Sequence, residues 1–147
     1  HSAPPSAIER ITMATLKLEI VTPEAKVYSE DVDMVTLPGT EGEMGIYPMH
    51  IPLMAQVAAG EIVARKDGKE SYLAIGDGFV QITGDKVAIM TDMAVEADNI
   101  DEVQAEEARK RAEDRLAEKL DDEETAMVQA ALAHSIAQLD VKRRRRR

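Results

Sequence analysis

The sequence predicts an α+β chain: an N-terminal antiparallel β-sandwich followed by a C-terminal antiparallel two-helix hairpin. Three observations carry this reading. All eight Gly lie between Gly39 and Gly84 and all six Pro at or before Pro52, so the chain from Asp85 onward lacks both turn formers. Ahead of that boundary, short runs alternate apolar and polar residues with period two. Beyond it, apolar residues recur mostly at i,i+4 spacing.

The elements follow in order. Residues 1–12, His-Ser-Ala-Pro-Pro-Ser-Ala-Ile-Glu-Arg-Ile-Thr, match neither pattern and read as a non-native or disordered leader, with Met13-Ala14 as a natural start. Residues 13–98 form the sandwich. Leu16-Lys17-Leu18-Glu19-Ile20 and Lys86-Val87-Ala88-Ile89 alternate as half-buried strands do. Asp67-Gly68 turns the chain between Ile62-Val63-Ala64 and Tyr72-Leu73-Ala74-Ile75, and Gly84-Asp85 does so between Phe79-Val80-Gln81-Ile82 and Val87-Ala88-Ile89-Met90. Strands this short, reversed by two-residue turns, favour an antiparallel sandwich or barrel.

Residues 99–141 form the hairpin. Asn99 is the candidate N-cap, with Asp101 and Glu102 placed where carboxylates favour exposed N–H groups. The first helix runs to about Leu120, with a stripe of Val103, Ala108, Ala112, Leu116 and Leu120. Asp121-Asp122-Glu123-Glu124 interrupts it and caps the second helix, whose stripe is Val128, Leu132, Ile136 and Leu139 beside Ala130, Ala131, Ala133 and Ala137. An Ala seam allows close approach but buries little area, so the hairpin is expected to hold weakly and to move. Residues 142–147 (Lys142, Arg143, Arg144, Arg145, Arg146 and Arg147) read as a separate basic tail.

Composition excludes several functions. The absence of Cys removes disulfides, zinc knuckles, thiol nucleophiles and iron–sulfur ligation. At 3% aromatic residues the chain cannot build base-stacking platforms, and a net charge of −10 repels nucleic acid. The charge is uneven, with 7 Lys/Arg against 16 Asp/Glu over residues 1–98, 5 against 12 over 99–141, and the basic run last. No apolar run approaches the roughly 20 residues of a membrane-spanning helix. Gly39-x-x-Gly42-x-x-Gly45 is not a phosphate loop, because no Gly-Lys-Ser/Thr follows and Ile46-Tyr47-Pro48 cannot start a helix. His50 alone among the three His sits in a loop, where backbone hydrogen bonds are its ordinary fate. No carboxylate stands in an apolar frame suited to acid–base work, and no catalytic residue is assigned.

The loop itself is similar to a known family. Gly42-Glu43-Met44-Gly45-Ile46-Tyr47-Pro48-Met49-His50-Ile51-Pro52-Leu53 resembles a segment of the ε subunits of F-type ATP synthases, the counterparts of mitochondrial δ subunits. Ala59-Gly60-Glu61-Ile62, Ala74 to Ile82, Val87 to Ala94, Ile100 to Ala105 and Glu107 to Glu113 follow that family in order and spacing, over about residues 15–140. The resemblance implies a non-catalytic subunit of the central stalk. It implies a sandwich clamped between the γ subunit and the c ring, and a hairpin that docks on the sandwich or extends toward the α and β subunits to block ATP hydrolysis. It further implies that the loop bearing Glu41, Glu43, Tyr47, Met49 and His50 faces the c ring or γ. Membrane association is expected only through the complex, on the cytoplasmic face of a bacterial inner membrane in preference to an organelle's, since no transit peptide is visible.

Two departures from the family pattern bear on function. Met49 and Ile51 stand where many members have Gly and Ala, which makes the loop bulkier and more apolar. Ile100, Asp101, Gln104 and Ala105 occupy a motif through which some bacterial members bind ATP, with Gln104 in place of Arg. A neutral amide cannot supply the charge-assisted phosphate contact, so ATP is weighed as a regulatory ligand and the reading assigns no cofactor and no metal. The basic tail is expected to engage an acidic loop of the β subunits and to strengthen inhibition. The rival reading is a stand-alone β-sandwich adaptor with a mobile hairpin, which co-purification with γ separates from the stalk reading.

Overall fold

The computed structural model describes residues 15–145. Ten strands come first: β1 (Leu16–Val21), β2 (Lys26–Val32), β3 (Met34–Gly39), β4 (Gly42–Ile46), β5 (Leu53–Val57), β6 (Gly60–Lys66), β7 (Lys69–Ile75), β8 (Gly78–Thr83), β9 (Lys86–Thr91) and β10 (Ala94–Glu96). A single 3-10 turn (Ala97–Asn99) leads into α1 (Glu102–Leu116) and α2 (Asp122–Arg145). The leader at 1–12, the proposed start at Met13, and Arg146 and Arg147 lie outside the described residues.

Period-two alternation sorts the strands into two layers. Leu16, Leu18 and Ile20 of β1 point inward with Val80, Ile82, Val87 and Ile89, and meet Val35, Leu37, Ile62, Ala64, Leu73 and Ile75 from the opposite layer in one continuous core. The strand order is β10-β7-β6-β3-β5-β8-β9-β1-β2, with β4 hydrogen-bonded to the other side of β3. The layers join where β3 and β5 touch at the single pair Gly39 and Val57. Pairing is antiparallel throughout except between β1 and β9, which run parallel from Lys17 opposite Lys86 to Val21 opposite Met90. Local turn signals could not reveal that long-range pair, because neither strand is joined to the other by a turn.

The helical half differs from expectation in three places. Asp101, not Asn99, caps α1, its carboxylate accepting from the Gln104 N–H at 3.1 Å, because Asn99 is taken up in the 3-10 turn. The helix ends at Leu116 rather than near Leu120, and Asp121 then caps α2 through the Glu124 N–H at 2.7 Å. Helix α2 continues through Arg145, so Lys142 to Arg145 form its last turn rather than a separate tail.

The stripes also shift. Val103 and Ile136 face solvent, while Ala105 and Ala112 of α1 and Ser135, Ala137, Leu139 and Val141 of α2 are buried. Helix α2 packs on one side against α1 and on the other against the outer face of β6 and β7 and the 3-10 turn. It therefore needs two buried faces, and a single i,i+4 stripe cannot describe it. Among the described residues no helix is long and apolar enough to cross a membrane.

Candidate functional site

The two outer faces of the sandwich are unlike. On β5, β8 and β9 the inward turn of Val80, Ile82 and Ile89 sends Phe79 and Met90, paired side by side, to the outside, and Met54 stands on the adjoining strand. Met54 is 65% exposed and Phe79 50%. Bare apolar side chains clustered on one sheet face mark a partner surface more than a solvated one.

The loop from Tyr47 to Pro52 continues this apolar character. Tyr47, Met49 (64% exposed) and Ile51 (79% exposed) all project into solvent. Met49 holds the left-handed backbone conformation, φ 67°, where a side chain crowds its own carbonyl. His50 is half-buried, and its Nδ1 lies 2.7 Å from the Ile51 carbonyl, consistent with donation to the backbone. Glu41 does not join this group. It sits in the tight turn before Gly42, and five residues of β4, about 17 Å of strand, separate that turn from Tyr47. Glu43 is exposed on β4 between them. The expected site residues thus divide between opposite ends of one strand.

The other outer face is covered by α2. Ala74, Ala97, Ile100, Ala137 and Val141 form a small second core, flanked by Tyr72, Met93 and Val95. Polar contacts ring this seam. His134 Nε2 meets Asp92 Oδ1 at 3.0 Å. Both groups lie over Gly76, where a Cβ would come within 2.1 Å of Asp92 Oδ1 and 2.7 Å of His134 Nε2. At the far end of α2, Lys142 Nζ donates to the Ala97 carbonyl at 3.2 Å. Arg145 donates to Glu61 through Nε at 3.0 Å and Nη2 at 2.6 Å, and Arg144 Nη1 reaches the same carboxylate at 3.0 Å. The Arg145 guanidinium also lies 3.8 Å from the centre of the Tyr72 ring. Tyr72 donates to Glu70 at 3.0 Å, which raises its pKa. Arg143 turns the other way, to Glu102 and Glu106 of α1.

The four positions of the ATP motif do not converge on one cavity. Ile100 is buried in the seam, the Asp101 carboxylate is occupied as the α1 cap, Ala105 is buried and Gln104 is exposed. Gln104 and Ala105 border a groove shared with Arg111, Ser135 and Gln138. Among the described residues no cluster of three or more His, Asp or Glu stands ready to hold a metal ion.

Residues 15–97 match the family model described as ATP synthase, Delta/Epsilon chain, beta-sandwich domain, and residues 98–143 match ATP synthase, Delta/Epsilon chain, long alpha-helix domain. The chain belongs to the delta/epsilon family of ATP synthase subunits. The epsilon chain of Dehalococcoides mccartyi is 43% identical over 136 residues, 92% of this chain and 97% of that one. That of Syntrophobacter fumaroxidans is 46% identical over 126 residues, 86% of this chain and 94% of that one. The same fold occurs in a solved Euglena gracilis mitochondrial ATP synthase, OSCP/F1/c-ring in rotational state 1, with a TM-score of 0.70 and 24% identity over 95% of this chain and 89% of that one.

Within this delta/epsilon framework, the residues that sequence reasoning missed are those of the docking seam: Glu61, Tyr72, Asp92 and His134. Glu61 and Tyr72 lie on strands β6 and β7, Asp92 in the turn after β9 and His134 on α2, where a polar side chain is unremarked in a sequence. The run of six cations from Lys142 was the available signal, since helical continuation past Val141 fans successive side chains by about 100° and aims them at different neighbours.

Proposed function

We propose that this member of the epsilon family is a non-catalytic central-stalk subunit that couples the c ring to the catalytic head through γ, and that its hairpin restrains ATP hydrolysis when extended. The observation that carries the proposal is the asymmetry of the sandwich. One outer face is bare and apolar through Met54, Phe79 and Met90, while the other holds α2 through a seam made largely of Ala. A rigid, closely packed sandwich suits torque transmission. A helix docked through few apolar side chains suits release, because the docked and extended states can then lie close in free energy. The Euglena neighbour, solved with its F1 and c ring, supports the same assembly.

In this reading γ covers the Met54, Phe79 and Met90 face, and the Tyr47–Pro52 loop meets the polar loops of the c ring. The α and β subunits contact only the extended hairpin. The subunit is held at the cytoplasmic face of a bacterial inner membrane by the complex alone. No nucleic acid and no nucleotide cofactor are involved, the latter because Gln104 lacks the charge for phosphate.

Co-expression with γ and the c ring tests the proposal. Full-length chain is expected to co-purify with both, and Phe79→Glu or Met54→Glu to lose γ while keeping the parent melting temperature. Unchanged retention of γ by both variants overturns the assignment of that face. Removing residues 101–147 from the assembled complex is expected to raise its hydrolysis rate, and an unchanged rate overturns the restraining role.

A further inference from the structure

We propose that the last turn of α2 is an ionic clamp that fastens the hairpin in its docked state, with Glu61 as the anchor and Tyr72 as the platform. The proposal rests on the reading of the hairpin as a mobile regulatory element and gives its basic end the opposite sign to a tail that promotes inhibition.

The geometry is that of a built contact rather than a solvated charge run. Glu61 stands on the outer face of β6 opposite Ala74, and its side chain is only 10% exposed. Two guanidinium groups converge on it. Arg145 binds both carboxylate oxygens as a fork while stacking on Tyr72, and Arg144 adds a third contact. Planar forked pairing of this kind is stronger and more directional than a simple ion pair. Lys142 ties the same turn to the Ala97 carbonyl, which links the helix end to the 3-10 turn.

The apolar part of the seam makes the clamp matter. Ala74, Ala97 and Ala137 bury little area, Ile100 and Val141 are the larger buried side chains of this small core, and Tyr72, Met93 and Val95 are only partly buried against it. Where the apolar contribution is small, a few charge-assisted hydrogen bonds decide the balance between docked and released states. Glu61 is shielded, but Arg144 and Arg145 are 52% and 29% exposed, so salt screens the contacts in part. The clamp makes docking sensitive to ionic strength, with Arg144 and Arg145 holding the hairpin on the sandwich and away from any other partner.

The absence of Cys allows a direct test on the full chain. Spin labels at Gln129→Cys on α2 and Thr83→Cys on the sandwich report the docked distance by pulsed electron paramagnetic resonance. At about 0.05 M salt the parent is expected to give one short distance, with a longer one growing in toward about 0.5 M. Glu61→Gln, and Arg144→Gln combined with Arg145→Gln, are each expected to raise the ratio of long to short distance roughly tenfold and to flatten its salt dependence. Arg145→Lys, which keeps the charge but loses the fork, should fall between.

Parent-like distances and salt response in both charge-neutral variants overturn the clamp. The arginine variants lie at an exposed helix end, so they remain informative if Glu61→Gln fails to fold. Hydrolysis by the assembled complex separates the two claims. Stronger inhibition in the arginine variants supports both, whereas a released hairpin with unchanged hydrolysis keeps the clamp and sinks the regulatory role.

Discussion

At the residue scale, the structure turns one sequence departure and one close backbone approach into energies. Met49, which stands where the resemblance leads one to expect Gly, holds φ 67°. A non-Gly residue in this conformation costs about 1–2 kcal/mol, and Gly returns roughly 0.5–1 kcal/mol of that through its greater freedom when unfolded. Met49→Gly is therefore expected to stabilise the chain by up to about 1 kcal/mol and to raise the denaturant midpoint without changing the slope. A lower midpoint would show that Met49 gains more from contacts than its backbone loses. Gly78 makes the opposite case. A Cβ there would stand 1.9 Å from the Met90 carbonyl oxygen, an atom of the β9 backbone that cannot swing aside. Gly78→Ala should cost about 1–3 kcal/mol by forcing β8 and β9 apart, read from the same denaturant curves. The Met49 departure was legible in the sequence as a missing Gly, but the close approach at Gly78 was not, because it depends on which strand lies beside it.

At the element scale, the strands were legible and the helix faces were not, for a physical reason. Each strand has one inward set fixed by period two, so Leu16, Leu18 and Ile20 or Val80 and Ile82 declare themselves. Helix α2 buries Ser135 and Ala137 and exposes Ile136, which hydropathy alone reverses. The caps offer a cleaner test. Asp101→Ala removes the side-chain acceptor that caps the α1 start and should cost about 0.5–2 kcal/mol, seen as faster amide exchange in the first turn of α1. Asn99→Ala should leave that exchange unchanged. The hairpin also carries a pH dependence. Hydrogen bonding from Arg109, reinforced by Arg143, lowers the Glu106 pKa from 4.5 to about 2. The folded value lies below the unfolded one, so the unfolded chain binds more protons in that interval and stability falls as pH falls through it. The contribution is present above about pH 4.5 and is lost toward pH 2. Amide exchange in α1 and α2 is expected to accelerate across this window, and Glu106→Gln to make it less steep. An equal acceleration in the Gln variant would assign the effect to other carboxylates.

At the scale of the whole molecule, the net charge of −10 conceals a division of labour. The acidic sandwich and the acidic hairpin would repel one another, and at the end of α2 Arg144 and Arg145 bridge them through Glu61 while Arg143 ties α2 to α1 within the hairpin. The sequence made both charge sets visible but not their pairing, which needs strand β6 and the far end of α2 brought together across 83 residues of chain. The sandwich core draws every one of its large buried side chains from the strands and none from the helices. A chain ending at Ile100 is therefore expected to fold cooperatively on its own. It should unfold with a smaller denaturant slope, because fewer residues become exposed, and with a modest loss of stability as Ala74, Tyr72 and Val95 lose their cover. Because Met54, Phe79 and Met90 lie on the opposite face, the truncated chain should bind γ as tightly as the full one while losing control over hydrolysis. Weaker γ binding by the truncated chain would mean that the hairpin belongs to the coupling surface, and that rigidity and regulation are not assigned to separate faces of this molecule.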